Sequence, residues 1–228
     1  MAYGPALEIQ HERVRQVQAS EGGRAFLLLV EHDPPVITTG RRPCAQHVLA
    51  SPEQLARAGI QVHATRRGGD VTYHGPGQLV GYPILRLAAI GRGVRAYVHD
   101  LEEALIRALD RLGVSAGRAE GMTGVWVGGR KIAAIGVAVS RGVTSHGFAL
   151  NVTPDLSHFG LIVPCGLAGM GVTSLCECLG RQVTVEEVKP VVISAVAEAL
   201  GLEADAPGLV PVPGGKAVRP QEALTERP

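Results

Sequence analysis

The sequence predicts a mixed α/β (α+β) fold, an antiparallel sheet flanked by helices. Three observations carry this. Short runs of β-branched and aromatic residues alternate with glycine turns, a Gly-Gly pair at 128–129 joins two such runs, and two long segments repeat apolar residues every 3.6 positions. With 228 residues, 46% of them hydrophobic, the chain is long enough and apolar enough for one sizeable core.

Taken in order, Leu7, Ile9, Val14 and Val17 give the first 20 residues helical spacing. AFLLLVEH then reads as a buried strand ended by Pro34 and Pro35, and VITTG as a second. Ser51, ahead of Pro52 and Glu53, starts a short helix to about Ala58, because its hydroxyl accepts orphan amides and proline fits a first turn. IQVHAT, DVTYH and QLVGYPILRL read as antiparallel strands joined at RRGG and GPG. From Val94 to Leu112 the residues Val98, Leu101, Ala104, Leu105, Ala108 and Leu109 mark a helix ended by Gly113. TGVWV and RKIAAIGVAV form a hairpin about Gly128 and Gly129, SHGFALNV adds a strand, and Val185, Val188, Val192, Val196 and Leu200 define a last helix from Thr184 to Gly201. The organisation expected is one domain over 1–204 and a proline-rich, disordered tail over 205–228.

Composition removes several function classes. Twenty-two basic and 21 acidic residues leave a net charge of +1, so no overall field draws the chain to nucleic acid or to a membrane. The longest apolar runs are broken by Pro and Gly and are shorter than the roughly 20 residues of a membrane span. Charges interrupt the N-terminal apolar positions, unlike a secretory signal, and Cys44, Cys165, Cys176 and Cys178 make no CxxC pair; reduced thiols in the cytoplasm are expected. No P-loop or dinucleotide fingerprint occurs, and the CxC of Cys176 and Cys178 lacks the second pair of a structural zinc site, so neither cofactor nor metal is expected.

The densest chemical signal is RGGDVTYHGPGQLVGYP, residues 67–83. Its glycines permit close backbone approach while Arg67, Tyr73, His74 and Gln78 offer donors and a stacking surface. Cys165 lies in LIVPCGLAGMGVTSL, a Gly-rich turn whose amides suit an oxyanion. Lys131 enters an apolar strand, where a desolvated ammonium can exchange a proton with a thiol; His74 and His146 are alternative bases.

Jointly, EHDPPVITTGRR, RGGDVTYHGPGQLVGYP, GGRKIAAIGVAV, SHGFALNV and VPCGLAGMGVTSL resemble the ordered signatures of the lipoyl(octanoyl) transferase family across roughly residues 5 to 200. The resemblance implies a fold of the biotin and lipoate protein ligase type, with a mixed, largely antiparallel sheet. It implies transfer of octanoyl from octanoyl-acyl-carrier protein to a lysine of lipoyl domains, those of 2-oxoacid dehydrogenases and the glycine cleavage H protein, without metal or cofactor. Cys165 then matches the acyl-thioester nucleophile and Lys131 the lysine that favours its thiolate. Arg67, Gly68, Gly69, Asp70, Val71, Thr72, Tyr73 and His74 match the acyl site, together with Ala134, Ile135 and Gly136 on one strand and Gly147, Phe148 and Ala149 on another, where small residues leave room for a straight chain. The chain departs from the family pattern at Thr38 and Thr39, at the CxC and in its tail. An ATP-dependent lipoate or biotin ligase, a thiol hydrolase and a noncatalytic acyl-binding or lipoyl-domain-binding module remain as alternative readings of the same residues.

Overall fold

The computed structural model describes residues 1–20, 23–41, 45–163, 171–205 and 208–211. Helix α1 (Tyr3–Ala19) leads into β1 (Phe26–Val30) and β2 (Val36–Thr39). Next come α2 (Pro52–Arg57), β3 (Gln61–Ala64), β4 (Val71–His74), β5 (Gln78–Ile84) and α3 (Val94–Arg111). The second half holds β6 (Gly117–Ala119), β7 (Met122–Val127), β8 (Arg130–Ser140), β9 (Val143–Asn151), α4 (Leu175–Leu179), α5 (Val185–Leu200), β10 (Leu202–Asp205) and β11 (Gly208–Pro211).

Local chemistry explains several boundaries. Ser51 and Gln54 form a capping box with Pro52 at the first helical position of α2, and Thr184 and Glu187 form another on α5. Gly201 closes α5 in the left-handed conformation at φ +63°. The β7–β8 turn uses Gly128 and Gly129 at φ +54° and +77°, the double positive-φ turn that matches strand twist.

The large sheet has strand order β1-β5-β9-β8-β7-β6, every neighbouring pair antiparallel. Period-2 alternation divides its side chains. Leu79, Phe148, Leu150 and Val152 join Leu101, Leu105, Leu109, Val188 and Val192 in the main core under α3 and α5. Val80, Tyr82 and Ala149 cluster apart from that core. Helix α1 packs Val14 and Val17 onto Ile84, Val143, Phe26 and Leu28.

Two expectations need correction. The smaller sheet has order β3-β2-β4, and β2 pairs with β3 in parallel, because α2 supplies a crossover between them. Strand β1 is half-buried rather than buried, since it lies at the edge of the large sheet. Near the C-terminal end of the described residues, β11 pairs antiparallel with β10. Among the described residues no helix is long and apolar enough to cross a membrane.

Candidate active site

A cleft of about 740 Å³, measured with its open mouth, is bordered by β4 of the small sheet, by β5, β8 and β9 of the large one, and by Tyr3 of α1. Of the first group of sequence-expected residues, Arg67, Gly69, Val71, Thr72 and His74 line it. All six expected from β8 and β9 line it too: Ala134, Ile135 and Gly136, and Gly147, Phe148 and Ala149. Lys131 is at its wall.

Gly68, Asp70 and Tyr73 sit elsewhere. Gly68 donates its N–H to Val137 O at 2.8 Å, and Asp70 ties its carboxylate to His47 while its carbonyl accepts from Gly40. Tyr73 is buried with its ring 5.3 Å from Phe159 and its hydroxyl 2.8 Å from His158 Nδ1. The glycines of β8 and β9 serve close packing as much as open space. A Cβ on Gly147 would lie 2.2 Å from Gly81 O, and one on Gly136 would lie 2.9 Å from Gly68 O and 3.2 Å from Arg67 Cδ.

Arg67 is 6% exposed, and its guanidinium is fastened to β2 of the small sheet. Its Nε and Nη2 donate to Thr38 Oγ1 at 3.2 and 2.9 Å, Nη2 reaches Thr38 O at 2.7 Å, and Nη1 reaches Gly68 O at 3.1 Å. Thr38 thus anchors the site's buried guanidinium.

One polar wall of the cleft gathers the rings of Tyr3, His74, Tyr82 and His146 beside the charged Arg67. Tyr3, His32 and His74 lie with centroids 5.2 to 6.5 Å apart, and His32 Nε2 meets the Tyr82 hydroxyl at 2.7 Å. Burial is the main cause that lowers the pKa of His32 to about 4, of His74 to about 3 and of His146 to about 4; neighbouring His32 and Arg67 add to it for His74, and Arg67 for His146. Neutral imidazoles let an apolar group lie beside polar rings without stripping water from a charge. His146 has φ +56° and gives its N–H to Gln10 Oε1 of α1 at 3.0 Å, a conformation uncommon for a residue with a side chain.

These depressed values fix the sign of a pH effect. The unfolded chain takes up protons near pH 6.5 and the native cluster does not, so stability is complete above pH 6.5 and falls as pH drops toward 4. Each group contributes a slope of up to about 1.4 kcal/mol per pH unit. Urea unfolding at pH 7, 6 and 5 should show this decline, and His32→Gln should flatten it; an unchanged slope would count against the neutral cluster.

A hydrogen-bonded line joins this wall to Lys131. His74 Nδ1 lies 2.7 Å from Gln78 Oε1, Gln78 Nε2 donates to Asn151 Oδ1 at 2.9 Å, and Asn151 Nδ2 donates to Thr173 O at 3.0 Å. Because Gln78 spends its amide hydrogens on Asn151 and Tyr73 O, its oxygen faces His74 and Nδ1 carries the imidazole proton. Thr173 N–H in turn donates to Lys131 O, and Lys131 N–H to Gly171 O, both at 3.0 Å. Lys131 is 9% exposed, and its Nζ lies 4.7 Å from the Trp126 ring centroid.

Cys165 lies outside the described residues, in the segment 164–170. Both neighbours of that segment are fastened: Val163 N–H donates to His47 O at 2.8 Å, and Gly171 is the acceptor for Lys131. Among the described residues no group of three His, Cys, Asp or Glu side chains could hold a metal ion. Sequence reasoning did not single out Tyr3, His32, Tyr82 and Asn151; the last three lie within quoted motif segments, but only the fold gathers them.

Residues 2–197 match the family model described as the lipoyl protein ligase A/B catalytic domain. An octanoyltransferase of Solibacter usitatus is 55% identical over 186 residues, spanning 82% of this chain and 83% of that protein. One from Chloroflexus aurantiacus is 48% identical over 206 residues, spanning 89% and 92%. The chain belongs to the octanoyltransferase family. A solved bipartite lipoate protein ligase from Thermoplasma acidophilum superposes with TM-score 0.70 at 18% identity, over 86% of this chain and 81% of that one. This likeness establishes that the octanoyltransferase chain has the lipoate protein ligase fold.

Proposed function

We propose that the chain moves an octanoyl group from octanoyl-acyl-carrier protein to a lysine of lipoyl domains, through a thioester on Cys165. The observation that supports this most is the pairing of the Lys131 main chain with Gly171 and Thr173, at one end of the segment that carries Cys165, beside a cleft with mostly apolar or uncharged walls. Its acceptors are the lipoyl domains of 2-oxoacid dehydrogenases and the glycine cleavage H protein. The work is done in the cytoplasm, where reduced thiols persist.

In the first half-reaction the Cys165 thiolate attacks the donor thioester. A new C–S bond forms to Cys165 and the bond to the phosphopantetheine sulfur breaks; that sulfur takes a proton from the Lys131 ammonium and leaves as the thiol, so Lys131 enters the next step as a neutral amine. The Lys131 ammonium stabilises the thiolate before attack. In the second half-reaction the acceptor lysine, as a neutral amine, attacks the acyl-enzyme. An amide forms, Cys165 leaves as a thiolate, and Lys131 or a water takes the proton the amine loses. Burying about six methylenes at ~0.8 kcal/mol each supplies roughly 5 kcal/mol toward chain-length selection.

The exchange of one thioester for another needs no nucleotide. Octanoyl-acyl-carrier protein and a lipoyl domain should therefore give octanoyl-amide product without ATP, and Cys165→Ser should abolish it. Product that depends on ATP and survives in Cys165→Ser would establish ligase chemistry instead.

A further inference from the structure

Glu102 is a charged residue on the core side of α3, 8% exposed, beside the fully buried Leu101, and the mechanism above gives it no task. A buried carboxylate is costly and needs partners. Its Oε1 accepts the Gly124 N–H at 2.9 Å, and its Oε2 accepts from Arg118 Nε at 3.1 Å. Arg118 is itself braced, donating through Nη2 to His99 O and Glu103 Oε2 at 3.2 and 3.0 Å.

Gly124 has φ +126°, a conformation that side chains rarely adopt. A Cβ there would lie 2.7 Å from Ala133 O and 3.3 Å from Lys131 Cε. One residue further on, the β7–β8 register slips: Val125 opposes Ala133 and Trp126 opposes Lys131, leaving Ile132 as the extra residue of a bulge. Bulges re-aim side chains. Here the Lys131 stem runs past the bare Gly124 and its ammonium lies against the Trp126 ring, whose Nε1 is buried with no partner among the described residues.

We infer that Glu102, braced by Arg118, is a positioning residue for Lys131: it holds the bent Gly124 peptide, and with it the bulge that aims the ammonium. The inference rests on Lys131 acting with Cys165 in acyl transfer.

The test compares acyl-enzyme formation by the full-length protein from octanoyl-acyl-carrier protein across pH 6 to 9, with melting curves alongside. Glu102→Ala should lower the rate at pH 7 about tenfold and move the midpoint of the acidic limb up by about one unit, toward the Lys131→Met profile. The donor KM should change less than about threefold, since the acyl cleft is untouched. Arg118→Gln, at a partly exposed position, should move the midpoint the same way by less. Glu102→Gln, which keeps an oxygen for Gly124, should restore most of it. Lower melting temperatures with the wild-type midpoint in Glu102→Ala would overturn the inference and leave Glu102 a purely structural group. If Glu102→Ala does not fold, an unchanged midpoint in Arg118→Gln overturns it. A wild-type profile in Lys131→Met would instead refute the role given to Lys131 itself.

Discussion

Replacing Lys131 with Met should slow formation of the Cys165 acyl-enzyme about 100-fold at neutral pH and leave the fold intact. The side chain is 9% exposed, so Met retains most of the apolar contact of its stem. What disappears is a positive charge held against the Trp126 ring at the cleft wall. Without it the thiol reverts toward an ordinary pKa near ~8.5, and the fraction of thiolate at pH 7 drops. The loss should therefore shrink as pH rises toward 9, where the thiol ionises unaided. Rapid-quench rates across this range, with thermal melts as a control for folding, check both parts. An equal loss at every pH would place the defect in substrate binding or packing.

Gly147→Ala should destabilise the protein by about 3 kcal/mol or more, among the largest effects of any single substitution on its stability. The added Cβ would lie 2.2 Å from Gly81 O and 2.6 Å from Pro83 Cδ. Both neighbours belong to β5, which pairs with β9 near the middle of the large sheet, so neither can swing aside. Gly136→Ala should cost less, because part of its crowding comes from the flexible Arg67 stem. Urea unfolding of the two variants checks the order. A melting temperature for Gly147→Ala within about 2 °C of wild type would contradict it.

The elements read most accurately from sequence were those whose pattern repeats or whose turn chemistry is strict. Helices α3 and α5 have long 3.6-residue stripes, and the β7–β8 hairpin has two adjacent glycines. Short elements escaped: α4 has five residues and β6 three, too few for periodicity. The parallel pairing of β2 and β3 was available in principle, since VITT, a capped helix and QVHA make a strand-helix-strand unit, yet the RRGG turn after β3 drew the reading toward antiparallel order.

The site was legible to the same degree. Lys131 and the six β8 and β9 residues border one cleft because the two strands pair residue by residue there, Ala134 with Ala149, Ile135 with Phe148 and Gly136 with Gly147. Tyr3 enters from the N-terminal helix with no sequence neighbour that marks it, and His32, though inside EHDPPVITTGRR, meets it only through the fold. Glu102 looked like an ordinary polar position of an amphipathic helix, and only its bond to Gly124 reveals what it holds.

The central claim, that the octanoyl group passes through Cys165, is tested most directly by peptide mapping of the enzyme after brief exposure to octanoyl-acyl-carrier protein, followed by a chase with a lipoyl domain. The account predicts an octanoyl adduct on the peptide bearing Cys165, labile to hydroxylamine, that disappears as octanoyl-amide accumulates on the lipoyl domain. Product formed at full rate with no adduct on Cys165, in the wild type or in Cys165→Ser, would contradict it.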